Sequence, residues 1–107
     1  MAFRPLAGLL LLSALALAGC SSSKHDDPEV KIHNNAFDPA TITVKAGEHI
    51  HFVNHDGVAH TATSNTGAFN TGNIAGGATG EANFPTAGTF PYHCAIHSSM
   101  KGTVVVT

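Results

Sequence analysis

Beyond about residue 29, apolar and polar residues alternate with the two-residue period of a half-buried β-strand. The pattern is clearest in Val30–His33, Thr41–Lys45 and His49–Val53, and turn residues separate these segments. Further strands are predicted at Ala59–Ser64, Gly80–Phe84, Thr89–Cys94 and Gly102–Thr107. No segment of this region keeps a helical period. The spacing therefore predicts an all-β, antiparallel β-sandwich.

The first twenty residues have a different pattern, which is typical of an export signal. Arg4 precedes an apolar run from Leu6 to Leu17, which is too short to span a membrane and has the length of a signal-peptide core. The following Leu17–Cys20 segment resembles a bacterial lipobox. That resemblance implies cleavage after residue 19 and lipidation of Cys20. The alternative is an ordinary signal peptide in which Cys20 is an unmodified thiol.

A polar segment, Ser21–Pro28, joins the leader to the predicted sandwich. It has no apolar periodicity, so we interpret residues 20–28 as a lipidated flexible tether and residues 29–107 as one folded domain. Weak metal binding by His25–Asp27 is the alternative to a solvated tether. The chain is thus expected on the periplasmic or extracytoplasmic face of the bacterial cell envelope, held to the membrane by its lipid anchor.

Length and charge limit the classes of function. The 107 residues carry a formal charge of −2, and removal of the leader, with Arg4, makes the domain more negative. A chain without a surplus of basic residues is not expected to bind nucleic acid. A domain of this size buries a limited fraction of its surface, so a bound metal ion would stabilise it. We expect the domain to be a monomer.

The residues with distinctive chemistry concentrate just before the last predicted strand. Cys94, His97 and Met100 follow one another at three-residue intervals and offer a thiolate, an imidazole and a thioether. Cys94 is the only cysteine besides Cys20, and Met100 is the only methionine besides the initiator. These are three of the four donors of a blue-copper site. The fourth must be a distant histidine, and His60, between two predicted strands, is the best placed.

This set of donors suits a copper ion that alternates between Cu(I) and Cu(II). Cu(I) and Cu(II) prefer different ligands and coordination geometries. A plane of two imidazoles and one thiolate, with a long axial thioether, is intermediate between the two preferences, so one-electron transfer is easy. The ordinary alternatives are a small buried residue for Cys94 and a core-filling side chain for Met100. Each alternative is commoner for a residue taken alone, but the joint spacing favours the metal site.

On these residues the chain resembles a small cupredoxin, and it is most similar to amicyanin and the plastocyanin-like proteins. The similar segments are Phe37–Gly47, His60, Tyr92–Cys94 and Met100–Val106. The spacing on each side of His97 is similar to that of amicyanin. The resemblance implies a Greek-key sandwich of about seven to eight strands, one copper ion, and exchange of single electrons with redox partner proteins. The ligands that it implies are His60, Cys94, His97 and Met100.

Two positions depart from the family pattern. Thr61 stands where an asparagine usually follows the upstream histidine, and Ile96 stands where the family usually has a proline two residues after the cysteine. We expect Thr61 to orient the ligand loop and the Ile96 N–H group to donate to the Cys94 sulfur. The resemblance also predicts a loop over Gly67–Gly80, with a short helical turn near Phe69–Ile74.

The other histidines are interpreted as structural. His49 and His51 would share one face of their strand, where exposed histidines without a function are commoner than a surface metal pair. His93 would project to the opposite side of its strand from Cys94, so we do not count it as a ligand.

Two other functions are compatible with the same residues. A thiol enzyme would use Cys94 with His93 or His97, but no orienting group or oxyanion donor is recognisable, so we do not expect an enzyme. A copper carrier or storage protein, or a zinc-binding module, would use the same donors without transferring electrons. A carrier needs exchangeable ligands, often several thiols, and the predicted domain has one.

Overall fold

Residues 27–107 are described by the computed structural model, which contains two four-stranded β-sheets. The strands are β1 (Glu29–His33), β2 (Ala36–Asp38), β3 (Thr41–Val44), β4 (Glu48–Asn54), β5 (Thr63–Ser64), β6 (Thr79–Phe84), β7 (Gly88–His93) and β8 (Lys101–Val106). The first sheet has the order β2-β1-β4-β6 and the second the order β3-β8-β7-β5. The predicted all-β sandwich is thus confirmed. The predicted leader, residues 1–19, and the predicted lipidation site, Cys20, lie outside the described residues.

Each sheet contains one parallel pair of strands among its antiparallel pairs. β1 pairs in parallel with β4, and β3 pairs in parallel with β8. The parallel pairing of β1 with β4 results from the path of the chain, since β3 crosses to the second sheet before β4 returns to the first. β4 therefore runs in the same direction as β1, although β2 forms an antiparallel hairpin with β1. The antiparallel pairing expected from the sequence holds for β4 with β6, β5 with β7 and β7 with β8.

Three local features differ from the expected pattern. The sequence does not predict the short strand β2, and it predicts β5 as a longer strand over Ala59–Ser64. The expected helical turn near Phe69–Ile74 is absent from the described chain, where Ile74 forms an isolated bridge with His60. Gly72 has a φ of 73°, which places it outside the helical region and explains the lack of a turn. No helix in this part of the chain is long and apolar enough to cross a membrane.

The core between the sheets is rich in aromatic side chains. The ring of Tyr92 in β7 lies 4.7 Å from that of Phe37, 5.6 Å from that of Phe52 and 5.7 Å from that of Phe69, measured between centroids. Opposite Tyr92 in β8, Gly102 leaves the space that the ring fills, since a Cβ there would lie 2.5 Å from it. Apolar burial of this kind is the main stabilising contribution in a small domain. It also supports the loops that carry the candidate site.

Candidate metal centre

Two segments outside the strands carry the four predicted ligands. His60 lies between β4 and β5, where its N–H and C=O groups bond to the main chain of Ile74 at 3.1 and 2.7 Å. Cys94 directly follows β7, and the loop that holds His97 and Met100 leads into β8. Two bonds close this loop. The Cys94 N–H group donates to the Met100 carbonyl at 3.1 Å, and the Met100 N–H group donates to the His97 carbonyl at 2.9 Å.

Three of the donor atoms converge. Nδ1 of His60 and Nδ1 of His97 each lie 3.8 Å from Sγ of Cys94, and the three residues offer ligand atoms that all lie within 4.8 Å of one another. Typical metal bonds of about 2.0 Å to nitrogen and about 2.3 Å to sulfur place these two donors about 3.7 Å apart at a trigonal angle. The observed spacing therefore fits one ion held by two imidazoles and one thiolate.

The donors differ in their access to solvent. His60 and Cys94 are completely buried, and Met100 is 2% exposed. His97 is half-buried, so it is the donor closest to solvent, as expected for a ligand in the loop. The arrangement keeps water away from the thiolate and leaves one imidazole partly accessible.

The Cys94 sulfur accepts hydrogen bonds from two main-chain N–H groups. Thr61 donates at 3.3 Å and His97 donates at 3.4 Å. Burial raises the pKa of the thiol, but these two bonds and the neighbouring imidazoles outweigh it and lower the pKa to about 6. The thiolate, which is the metal-binding form of cysteine, is therefore the prevailing form at neutral pH.

The two departures from the family pattern have different outcomes. Thr61 orients the ligand loop as expected, because its Oγ1 accepts a hydrogen bond from the Ala95 N–H group at 2.7 Å. In place of the expected bond from Ile96, the sulfur accepts one from the N–H group of His97, the next residue. Ile96 instead exposes its side chain, which is 48% accessible to solvent.

The carboxylate that holds His60 was not predicted from the sequence. Asp56 Oδ2 lies 2.8 Å from His60 Nε2, which makes Nε2 the protonated nitrogen and leaves the Nδ1 lone pair for a metal. The N–H groups of Asn34 and Asn35 donate to the same carboxylate at 2.8 and 3.0 Å. The Asn35 bond lowers the pKa of Asp56, and the bonds from His60 and Asn34 reinforce it against the opposing effect of burial. The carboxylate thus fixes the ring of a candidate ligand.

The turn that presents these N–H groups connects β1 to β2. Asn34 and Asn35 have φ values of 54° and 55°, as a two-residue type I′ hairpin requires, and asparagine tolerates this region better than most residues. The conformation directs two successive N–H groups towards Asp56. Two asparagines between alternating segments are a turn signal in the sequence. Their hydrogen bonds to Asp56, which is 22 positions after Asn34 and 21 after Asn35, appear only in the fold.

Known proteins that are similar to this chain identify its family. The sequence profile of the Cupredoxin-like domain matches residues 6–106. The chain belongs to the cupredoxin-like family. This cupredoxin is 33% identical over 88 residues to plastocyanin from Scenedesmus fuscus, with 65% of this chain and 85% of that relative covered.

Solved structures agree with this assignment. The Cu(I) form of an amicyanin variant superimposes on this cupredoxin with a TM-score of 0.72 at 22% identity, covering 81% of this chain and 89% of that chain. Amicyanin from Paracoccus versutus gives a TM-score of 0.66 at 23% identity, covering 81% and 87%. Identities at this level show the fold, which is a cupredoxin sandwich. One copper ion is the cofactor of the family, and the thiolate, imidazole and thioether donors of this chain suit that ion.

Proposed function

We propose that this cupredoxin is a monomeric blue (type 1) copper protein that carries single electrons between redox proteins. His60, Cys94, His97 and Met100 would hold the ion, with two imidazoles, a thiolate and a thioether as donors. The observation that carries the proposal is the convergence of two imidazole nitrogens on one buried thiolate, each at 3.8 Å from the sulfur. When bound, copper supplies a one-electron couple between Cu(I) and Cu(II).

The contribution of the chain is to hold the ligands in place. Asp56 fixes the ring of His60, two N–H groups fix the thiolate, and Thr61 fixes the start of the ligand loop. Ligands that are already oriented rearrange little when the charge of the ion changes, which favours electron transfer. A copper carrier must instead release its ion from exchangeable ligands. The complete burial of His60 and Cys94 works against that alternative.

The proposed location is the bacterial cell envelope. Residues 1–19 form a cleaved leader, and Cys20 carries the lipid that anchors the domain through a tether over residues 20–28. The apolar run of the leader and the lipobox-like segment support this assignment. Redox proteins dock where the ligand loops reach solvent. There, Val58 and Ile96, which are 53% and 48% exposed, lie within two residues of His60 and Cys94 in the sequence.

Copper loading followed by visible spectroscopy tests the proposed site. Protein loaded with one equivalent of Cu(I) and then oxidised should be intensely blue from thiolate-to-Cu(II) charge transfer, and Cys94→Ser should fold without the colour. His93→Gln is the matched control, because it removes a neighbouring imidazole that bonds instead to Asn65, with Nδ1 and Oδ1 2.6 Å apart. A visible spectrum that is unchanged in Cys94→Ser would contradict the assignment.

A second measurement separates electron transfer from copper delivery. The oxidised protein should pass through repeated cycles of chemical reduction and reoxidation in the presence of a copper chelator and regain its full colour after each reoxidation. Loss of copper to the chelator in each reduced phase would favour a carrier.

The membrane anchor has its own test. Cys20→Ser should move the protein from the membrane fraction to the soluble envelope fraction, with its blue colour unchanged. Retention of Cys20→Ser on the membrane would contradict lipidation at this residue.

A further inference from the structure

A second group of metal-binding side chains lies on the outer face of the first sheet. The alternation along β4 buries Ile50 and Phe52 and turns His49 and His51 outward. Glu81 of β6 pairs directly with His51 across the two strands, so its side chain stands on the same face. None of these residues belongs to the candidate copper site.

The group is completed by Asp27, from the segment before β1. We call Asp27, His49, His51 and Glu81 the outer cluster. Asp27 Oδ2 lies 3.0 Å from Nε2 of His51 and 3.5 Å from Nε2 of His49. Glu81 Oε2 lies 3.2 Å from Nε2 of His49 and 3.9 Å from Nε2 of His51. Their side chains are 31% to 52% exposed, so an ion can reach them from solvent.

These distances fit a tetrahedral metal ion. Two ligands bonded at about 2.1 Å with a tetrahedral angle between them lie about 3.4 Å apart. Asp27, His49 and His51 offer ligand atoms that all lie within 4.8 Å of one another, and Asp27 Oδ2 lies 3.0 and 3.5 Å from the two Nε2 atoms, on both sides of that value. Glu81 is a neighbouring carboxylate, 3.2 Å from Nε2 of His49, and water can complete the coordination of the ion. We propose that the outer cluster binds one Zn²⁺ ion. Two carboxylates balance the charge of the ion, and two imidazoles select zinc over Ca²⁺, which prefers oxygen ligands.

Each of the two rings has one closest carboxylate oxygen. His51 Nε2 bonds to Asp27 Oδ2 at 3.0 Å, and His49 Nε2 lies 3.2 Å from Glu81 Oε2. A single cation can contact both rings and the carboxylate of Asp27 at once. The ring centroids are 5.1 Å apart with their planes at 79°, so the rings approach the shared oxygens from different directions. The outer cluster therefore has the donors, the spacing and the charge of a zinc site.

The position of Asp27 makes this site a clamp on the segment before β1. Asp27 lies two residues before Glu29, which begins β1, and the His51 N–H group donates to the adjacent Pro28 carbonyl at 3.0 Å. A bound ion links the segment to β4 and β6 through a side chain, in addition to that main-chain bond. It thereby fixes the point at which the chain leaves the domain towards its N-terminus.

Titration with Zn²⁺ of protein that carries one equivalent of Cu(I), an ion that prefers thiolate and thioether ligands, tests the site. Copper occupies the proposed blue-copper ligands, so the added ion cannot use them. Calorimetry should show one equivalent of Zn²⁺ bound, and Ca²⁺ should give no heat of binding. Removal of a ligand in His51→Gln or Asp27→Asn should weaken binding by roughly tenfold or more. His55→Gln is the matched control, since it removes an exposed histidine outside the outer cluster and should leave the affinity unchanged.

Amide hydrogen exchange tests the clamp. Zn²⁺ should slow exchange of the His51 N–H group, which bonds to Pro28, and should not do so in Asp27→Asn. If Zn²⁺ bound without slowing exchange of the His51 N–H group, Asp27 would not be a ligand and the clamp would be contradicted. The zinc site itself is overturned if excess Zn²⁺ does not bind, if His51→Gln binds equally well, or if His55→Gln loses as much affinity. The same titration of copper-free Cys94→Ser separates failure of this site from failure of the copper proposal.

Discussion

At the residue scale, the protonation state of Cys94 decides whether the copper-free protein is ready to bind metal. Burial opposes the charge of the thiolate, but the N–H groups of Thr61 and His97, together with the imidazoles of His60 and His97, lower the pKa from 9.0 to about 6. A pKa that is lowered in the folded state contributes stability that is fully present above the unfolded pKa and is lost as pH falls through the folded pKa. The copper-free protein should therefore gain stability over Cys94→Ser as pH rises from about 6 to 9.0.

Two measurements check this prediction. Ultraviolet absorbance of the thiolate should titrate with a midpoint near pH 6, with Cys94→Ser as the blank. Denaturant unfolding of the two proteins at several pH values should show the growing difference in stability. A midpoint near 9.0 would mean that the N–H groups and the imidazoles do not outweigh the effect of burial on the thiolate.

The second prediction at this scale concerns Asp56. Asp56→Asn removes the charge and leaves one oxygen to accept the bonds that now come from His60, Asn34 and Asn35. Because loss of a group that orients a metal ligand typically weakens metal binding about 10- to 100-fold, we expect a loss of copper affinity in that range. Competition with a chelator of known affinity measures it.

Asp38→Asn is the control for this experiment. It removes the same charge from an exposed position in β2 and should leave the copper affinity unchanged. Equal affinities in the two variants would show that the carboxylate of Asp56 does not orient His60.

The contrast between the predicted ligands and Asp56 shows what the sequence reveals at this scale. Cys94, His97 and Met100 lie within seven residues and have distinctive donors, so their spacing alone indicates a copper site. Asp56 is one of seven acidic residues, and its role depends on a hairpin turn far away in the sequence. Spacing does not specify the direction of an N–H group in a loop, so the sequence points to Ile96 as the donor to the sulfur, whereas the donor is His97.

At the scale of elements, periodicity predicts which face of a strand is buried better than it predicts which strands pair with each other. The outward faces of His49 and His51 and the inward face of Phe52 follow directly from alternation along β4. The parallel partnership of β4 with β1 depends on the crossing of β3 to the other sheet, which no local pattern records. The strand β2 has only three residues, too few for a period to show.

The close contact between β7 and β8 gives a prediction for stability. Gly102→Ala would place a Cβ 2.5 Å from the buried ring of Tyr92, so the ring or the strand must move. Overpacking of this kind typically costs about 1–3 kcal/mol of unfolding free energy. Denaturant unfolding of the copper-free protein measures the loss.

Gly57→Ala is the matched control for Gly102→Ala. A Cβ at Gly57 would meet no atom within 4 Å, so the unfolding free energy should change little. Equal stability of the two variants would show that Tyr92 has room to adjust.

At the scale of the whole molecule, the proposed copper site joins the two sheets. His60 follows β4 of the first sheet, whereas Cys94 and Met100 lie between β7 and β8 of the second. The protein already links the two sides through the Thr61 N–H bond to the Cys94 sulfur and the Ala95 N–H bond to the Thr61 hydroxyl. An ion bound to both sides adds a strong connection to a domain whose core is limited by its size.

Removal of Cu(I) should therefore lower the unfolding temperature of the entire domain. An ion that binds only the folded state at about 100 times its dissociation constant contributes about 2.7 kcal/mol. For a domain of this size, that corresponds to a shift of roughly 10–20 °C. Cu(I) prefers thiolate and thioether ligands, so the outer cluster of imidazoles and carboxylates should contribute little to the shift.

Tyr92 provides the measurement, because it is the only tyrosine, the chain has no tryptophan, and its ring is buried in the core. The thermal unfolding midpoint can be followed by near-ultraviolet circular dichroism of Tyr92 and by far-ultraviolet dichroism of the strands. Both midpoints should rise together on addition of Cu(I), since a link between the two sheets stabilises the domain as one unit. Cys94→Ser should lose the shift, and His51→Gln should keep it. If Cu(I) changed the far-ultraviolet transition but left that of Tyr92 in place, the ion would stabilise the loops alone and would not join the two sheets.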